Sequence, residues 1–319
     1  MMIRTMHLTK HYDDRIGCSD ITLSIEPGTC FGLLGPNGAG KSTFVKMLVG
    51  LLRPTAGEAY IHGFPAGEVE ARRALGYLPE LFRYPDWLTA TEVLRFHARL
   101  SGIGARESRS ARMTARIREV LNVVGLEGRA HERIKQFSKG MQQRLGIANA
   151  ILMDPDLVLL DEPSSALDPI GRYEVRTIVR KLREAGKTIF LNTHLLEDVE
   201  SVCDQVALLY NGELKATGPL DAFLRAQDSW ELHVGGIDET LLDTVTSSAR
   251  FPGFGAKLIR AAADGSAILH VTAGSREQIG WLNGRLVEAG ATLYEVRPLN
   301  GRLEDWFLAM VDRKKEAEV

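Results

Sequence analysis

The amino-acid sequence predicts an α/β protein in two parts, a parallel sheet with crossover helices followed by a small α+β domain. Three observations carry this. Short apolar runs alternate with amphipathic helical patterns through the first part of the chain. A glycine-rich loop joins one such run directly to a helix at residues 35–42. After about residue 227 both features stop and a smaller pattern begins, which sets the expected domains at 1–228 and 229–319.

The elements follow in order. Ile21-Thr22-Leu23-Ser24-Ile25 alternates like a strand, Glu26-Pro27-Gly28 turns, and a second strand ends at Leu33-Leu34. Beyond the glycine loop, Phe44, Leu48 and Leu51 share one face of a helix closed by Pro54. Residues 91–126 turn helical, the start of an expected helical insertion over about 91–150. Its arginine series, Arg106, Arg109, Arg112, Arg116 and Arg118, reads as a solvated face. Leu157-Val158-Leu159-Leu160 is short and apolar throughout, as a strand buried on both faces would be. Asp168-Pro169 reads as the N-cap and first-turn proline of a helix with Val175, Ile178, Val179 and Leu182 on one face. A further apolar strand is expected at Thr188-Ile189-Phe190-Leu191. In the second part, strands are expected near 230–234, 257–261, 268–271 and 293–296. Helices are expected around Leu241, Leu242 and Val245, around Ile279, Leu282 and Leu286, and around Leu303, Trp306, Phe307 and Met310. This order resembles a ferredoxin-like domain, with Trp230, Trp281 and Trp306 spaced as core residues and a frayed tail at 313–318.

A chain of 319 residues is long enough for two domains, and 45% hydrophobic with 25% charged residues is ordinary for a globular protein. The net charge of −2 supplies no general basic field, so no nucleic-acid partner is expected. Cys18, Cys30 and Cys203 are too few and too scattered for a disulfide framework or a zinc ribbon, which points to a reducing compartment. The first residues lack the apolar core of about 7–15 residues that a signal peptide has. No stretch approaches the roughly 18 apolar residues of a membrane span. The expectation is a cytoplasmic protein whose membrane span, if it works at a membrane, belongs to another chain.

Gly35-Pro36-Asn37-Gly38-Ala39-Gly40-Lys41-Ser42 fits G-x-x-x-x-G-K-[ST] between a strand and a helix. Its glycines let backbone N–H groups wrap phosphate oxygens, and the helix N-terminus adds positive potential. Lys41 then reaches the β- and γ-phosphates, and the Ser42 hydroxyl ligates Mg²⁺. The strand 157–160 delivers Asp161 and Glu162 to its C-terminal end, where α/β sheets bind ligands. Successive side chains diverge, so the two carboxylates divide the work: Asp161 toward Mg²⁺, Glu162 as general base on water.

The series formed by residues 35–43, ending at Thr43, then Phe137-Ser138-Lys139-Gly140-Met141-Gln142-Gln143-Arg144, Asp161-Glu162-Pro163, Ser165-Ala166-Leu167-Asp168 and His194 resembles the ATP-binding subunit of an ABC transporter. The likeness covers about residues 2–225 and implies a mixed sheet with a helical subdomain. It further implies that Tyr12 stacks on adenine, that Ser138 and Gly140 contact the γ-phosphate held by the opposite protomer, that Asp168 couples the two sites, and that His194 touches the γ-phosphate and positions the water. Glu80 stands where the family has a glutamine that joins the Mg²⁺ site and faces the membrane partner, and Phe137, Lys139 and Met141 replace the usual Leu, Gly and Gln. With the small second domain, these variants resemble exporters of drugs, antibiotics or polysaccharide-type cargo. The resemblance thus implies an ATPase using ATP and Mg²⁺, working as a homodimer or beside a related subunit, and bound to the inner face of the cell membrane through a separate permease. The alternative is a soluble ABC-type ATPase of iron–sulfur assembly, DNA or ribosomes; a cassette that binds ATP without hydrolysing it is disfavoured by the intact Lys41, Asp161, Glu162 and His194.

Overall fold

The computed structural model describes residues 1–13, 15–224, 229–247, 251, 254–261, 266–299 and 303. Two compact units divide between Leu220 and Asp221, a few residues before the expected boundary at 228/229. In the first unit, β1 (Ile3–Tyr12), β2 (Arg15–Ile25), β4 (Ala56–Ile61) and β5 (Phe64–Pro65) form an antiparallel sheet in the order β2-β1-β4-β5. A six-stranded sheet joins β3 (Cys30–Leu34), β6 (Leu75–Leu78), β7 (Leu157–Asp161), β8 (Thr188–Asn192), β9 (Gln205–Tyr210) and β10 (Glu213–Pro219) in the order β10-β9-β3-β8-β7-β6. Every residue of β3, β7 and β8 is buried, which is why these strands read as unbroken apolar runs.

The sheet is mixed rather than parallel throughout, because β10 returns antiparallel along β9. The return is a two-residue turn, Asn211-Gly212, with φ of 49° and 79°, residue types that tolerate the left-handed region a tight hairpin demands. Cross-strand register places Asp161 of β7 opposite Asn192 of β8, and Asn192 opposite Leu33 of β3. The C-terminal ends of the three central strands are therefore level, and the glycine loop leaves β3 beside the carboxylates.

Helix α1 (Lys41–Leu48) lies between the two sheets. Its Phe44, Val45 and Leu48 share a core with Ile3, Leu8, Ile21 and Ile25 of the antiparallel sheet and Phe31, Leu159 and Phe190 of the larger one. The Phe31 and Phe190 rings stack at 5.6 Å and Phe44 lies 6.3 Å from Phe190. Each fully buried aromatic of this kind contributes about 1.5–3 kcal/mol. Leu51 is no part of the buried face: α1 ends at Leu48, Gly50 turns left-handed at φ 73°, and Leu51 is 69% exposed.

After α2 (Val69–Arg73), the helical insertion comprises α3 (Ala90–Leu100), α4 (Ala111–Val123) and α5 (Lys139–Ala150), with side-chain caps at Thr89, Ser110 and Ser138. Arg106, Arg109, Arg112 and Arg118 are exposed as expected, but Arg116 is not part of a solvated face. Its guanidinium donates to the Ile151 and Leu152 carbonyls at 2.7 and 3.0 Å, tying α4 to the chain after α5. Helix α6 (Pro169–Glu184) carries Asp168 as its N-cap, Oδ1 accepting from Gly171 N–H at 2.7 Å, and buries Val175, Ile178, Val179 and Leu182. Helix α7 (Leu196–Val202) follows β8, and α8 (Leu220–Leu224) sits at the division between units.

The second unit runs β11 (Ser229–Gly235), α9 (Glu239–Thr246), β12 (Gly255–Ala261), β13 (Ser266–Thr272), α10 (Arg276–Glu288), β14 (Thr292–Leu299). Its antiparallel sheet, in the order β12-β13-β11-β14, gives the β-α-β-β-α-β arrangement of ferredoxin-like domains. Leu232, Val234, Leu269, Leu282 and Leu286 form a core of its own, with Trp230 and Trp281 packed against it. Leu303 is buried, while Trp306, Phe307, Met310 and the tail lie outside the described residues. Cys18, Cys30 and Cys203 are free and buried. Among the described residues no helix is long and apolar enough to cross a membrane.

Candidate nucleotide site

The loop after β3 is pressed into the fold at its glycines. A Cβ on Gly40, at φ 101°, would stand 2.1 Å from the Gly17 carbonyl oxygen, and one on Gly35 would stand 2.3 Å from that of Leu209. Only glycine fits either place. The β9–β10 turn closes over the same loop: Gly212 N–H donates to the Ala39 carbonyl at 3.0 Å, and Ser19 N–H donates to the Gly212 carbonyl at 2.7 Å. Lys41 is 6% exposed, and its Nζ donates to the Gly35 carbonyl at 2.7 Å and the Pro36 carbonyl at 3.3 Å. Burial pushes its ammonium below the usual lysine range, opposed by the carboxylates of Glu162, Asp161 and Glu80.

Asp161 is 2% exposed. Its Oδ1 accepts from the Asn192 side-chain amide at 2.6 Å and its Oδ2 from the Tyr77 hydroxyl at 3.5 Å. Burial pushes its carboxyl above the ordinary range, with the Asn192 hydrogen bond pulling the other way. The next residue, Glu162, takes the left-handed region at φ 50°, held by its N–H to the Asn192 carbonyl at 2.8 Å. That twist carries its side chain away from Asp161 and onto His194, whose Nδ1 lies 2.8 Å from Oε2. A carboxylate oxygen accepts, so a proton on Nδ1 completes this contact.

Lys41, Glu162 and His194 line one cleft of about 570 Å³, within the range of about 300–1,000 Å³ for small-molecule sites. Tyr12, Pro36, Asn37, Gly38, Ala39, Gly40, Lys41, Ser42, Thr43, Glu80, Glu162 and His194 all reach it. Gly35 and Asp161 lie behind its wall, fully buried. Ser138, Gly140 and Asp168 do not line it; Ser138 is exposed and caps α5, its Oγ accepting from Met141 N–H at 3.2 Å. Ser165, from the motif at residues 165–168, lines the cleft, and so do Arg15, Ile16 and Gly17, which were not singled out in the sequence. Ile16, 60% exposed, and Tyr12, 43% exposed, make one wall apolar, and Gly17 leaves room for the Tyr12 ring, which a Cβ would approach to 2.7 Å. The Ser42 hydroxyl and the Asp161 and Glu80 carboxylates are hard oxygen donors of the kind Mg²⁺ takes. The buried Oδ1 of Asn192, on the amide that holds Asp161, is without a hydrogen-bond partner. The residues present fit a hydrated Mg²⁺ brought in with phosphates.

The family model for ABC transporters matches residues 18–165. An ABC transporter ATP-binding protein of Synechocystis is 42% identical over 224 residues; the match covers 70% of this chain and 62% of that protein, so the chain spans less than two thirds of this relative's length. A Nod factor export ATP-binding protein of Cupriavidus metallidurans is 32% identical over 318 residues, 98% of each. The dimeric structure of a bacterial ABC transporter cassette aligns with a TM-score of 0.62 at 29% identity, covering 69% of this chain and 99% of that one. A cleft lined by the glycine loop, in a chain that stays similar to such a relative over 98% of its length, leaves one placement: the protein belongs to the ATP-binding subunits of ABC transporters.

Proposed function

We propose that this chain hydrolyses ATP to power an ABC exporter through a separate membrane permease, working as a dimer on the inner face of the cell membrane. The observation that carries this is the meeting of Lys41, Glu80, Glu162 and His194 on one cleft, with Asp161 directly behind. In this reading the Tyr12 ring stacks on adenine, backbone N–H groups of 38–43 hold the phosphates, and Lys41 exchanges its carbonyl partners for phosphate oxygens. Ser42, Asp161 and Glu80 would hold Mg²⁺, which when bound supplies positive charge to the phosphate oxygens. Glu162 takes a proton from the attacking water while His194 holds its carboxylate.

Ser138, Gly140 and Asp168 act across the dimer in this proposal. Gly140 supports it: a Cβ there would meet nothing closer than 3.9 Å, so no contact among the described residues requires glycine. Ile170 and Tyr173, 72% and 60% exposed on the first turns of α6, extend the same surface. For the permease, the support is a groove of about 760 Å³ whose lining mixes polar and apolar side chains, among them Arg72, Arg73, Tyr77, His97, Leu100 and Met153. Leu81 and Trp87, 87% and 72% exposed in the segment after Glu80, are large apolar side chains that a partner could cover. The exporter direction rests on the likeness to the Nod factor export protein. The test is Glu162→Gln: removing a general base typically lowers turnover by about 10²–10⁴, so the variant should bind ATP, hydrolyse it at that reduced rate and accumulate as an ATP-bound dimer in size-exclusion chromatography. Normal turnover by this variant would overturn the assignment.

A further inference from the structure

Asn192 is fully buried at the end of β8, between Asp161 on one side and Leu33 on the other. It contacts both Asp161 and Glu162, the first through its carboxylate and the second through its backbone. Its side-chain Nδ2 donates to Asp161 Oδ1 at 2.6 Å, and its backbone carbonyl accepts from Glu162 N–H at 2.8 Å. Its own Oδ1 is buried without a partner. A buried amide with one end unsatisfied is a poor choice for packing alone, since an apolar side chain of the same size would leave no polar atom stranded. The bond it does make is short and charge-assisted, and it falls on one oxygen only. The other oxygen, Oδ2, has just the long 3.5 Å contact from Tyr77.

Building on the nucleotide-site reading above, we propose that Asn192 is a positioning residue for cation binding: its amide holds Asp161 Oδ1 so that Oδ2 is the oxygen presented to the hydrated Mg²⁺ of Mg·ATP. Partners of this kind behind a metal-binding carboxylate change metal affinity by about 10–100-fold when removed. The glycine loop and Tyr12 bind nucleotide without passing through Asn192, so metal-free binding is independent of it.

The experiment compares the full chain with Asn192→Ala and Asn192→Ser. Mn²⁺ binding in the presence of ADP is followed by electron paramagnetic resonance, and a fluorescent ADP analogue is titrated in EDTA. Asn192→Ala should weaken Mn²⁺ by about 10–100-fold while metal-free ADP affinity stays within about twofold of the parent. Asn192→Ser, which restores a donor, should recover most of the loss. Parental Mn²⁺ affinity in Asn192→Ala overturns the proposal, as do equal losses with and without metal, which would show a structural role. A parent chain that binds no ADP with or without metal would instead overturn the nucleotide site itself.

Discussion

Two loop glycines separate what the fold requires from what the nucleotide requires. Gly38 and Gly40 both sit at positive φ, 83° and 101°, so an alanine is strained at either, by about 1–3 kcal/mol. Their surroundings differ. Gly38 has nothing within 4 Å of an added Cβ and lines the open cleft, whereas at Gly40 the Cβ would press on the Gly17 carbonyl at 2.1 Å. Relieving that overlap means moving backbone, which adds roughly 1–3 kcal/mol of overpacking. For a unit the size of Met1–Leu220, each kcal/mol lowers Tm by about 2–4 °C. Gly38→Ala should therefore melt a few degrees below the parent while losing at least tenfold in ATP affinity, about 1.4 kcal/mol, because its methyl occupies phosphate space. Gly40→Ala should lose both affinity and about twice as much Tm. Differential scanning fluorimetry and titration with a fluorescent ATP analogue measure the two quantities on the same samples. Should Gly40→Ala melt no lower than Gly38→Ala, the contact between loop and β2 does not shape the site, and the reasoning fails.

Asp161→Asn should raise stability while abolishing turnover: burial lifts the Asp161 carboxyl in the folded state, so the stability it contributes is present at low pH and is lost as pH rises through the folded-state value. The variant should melt above the parent at pH 7, with the advantage shrinking toward pH 4; a melting scan across that range that shows no gain at pH 7 refutes the burial argument. Tyr12→Ala should weaken ATP by about 1–3 kcal/mol of lost base stacking and Tyr12→Trp should not, read by the same fluorescent titration; parental affinity in the alanine variant would leave Tyr12 a packing residue.

Sequence alone revealed the parts of this fold whose pattern is undisturbed. β7 and β8 were legible because burial on both faces leaves no polar residue to interrupt them, and α6 because Asp168 and Pro169 announce its start. β1 was not legible. His7 at φ 51° and register shifts after Thr5, Leu8 and Lys10 break the period-two alternation that a strand normally shows. In β4 only Ile61 is fully buried, so its signal is too weak to read. Arg116 looked like its neighbours because a helical pattern does not show that its head meets two carbonyls from the end of α5. In the site, Lys41, Glu162 and His194 were visible as motif residues and converge as expected on one cleft. Arg15 and Ile16 carry no motif, and they reach the cleft because β2 pairs antiparallel with β1, Arg15 lying opposite Tyr12 at the end of β1. Asn192 was hidden by register: nothing in its sequence neighbourhood shows that it sits level with Asp161 on the adjoining strand.

The two ends of the cleft are fastened to each other. The Asn211-Gly212 turn grips the phosphate loop through the Ala39 carbonyl and the Tyr12 hairpin through Ser19 N–H, so both belong to one frame. What moves on contact with nucleotide is then local, above all the Lys41 head that leaves the Gly35 and Pro36 carbonyls. Differences in nucleotide affinity between this chain and its relatives should accordingly show in residence times more than in rates of arrival.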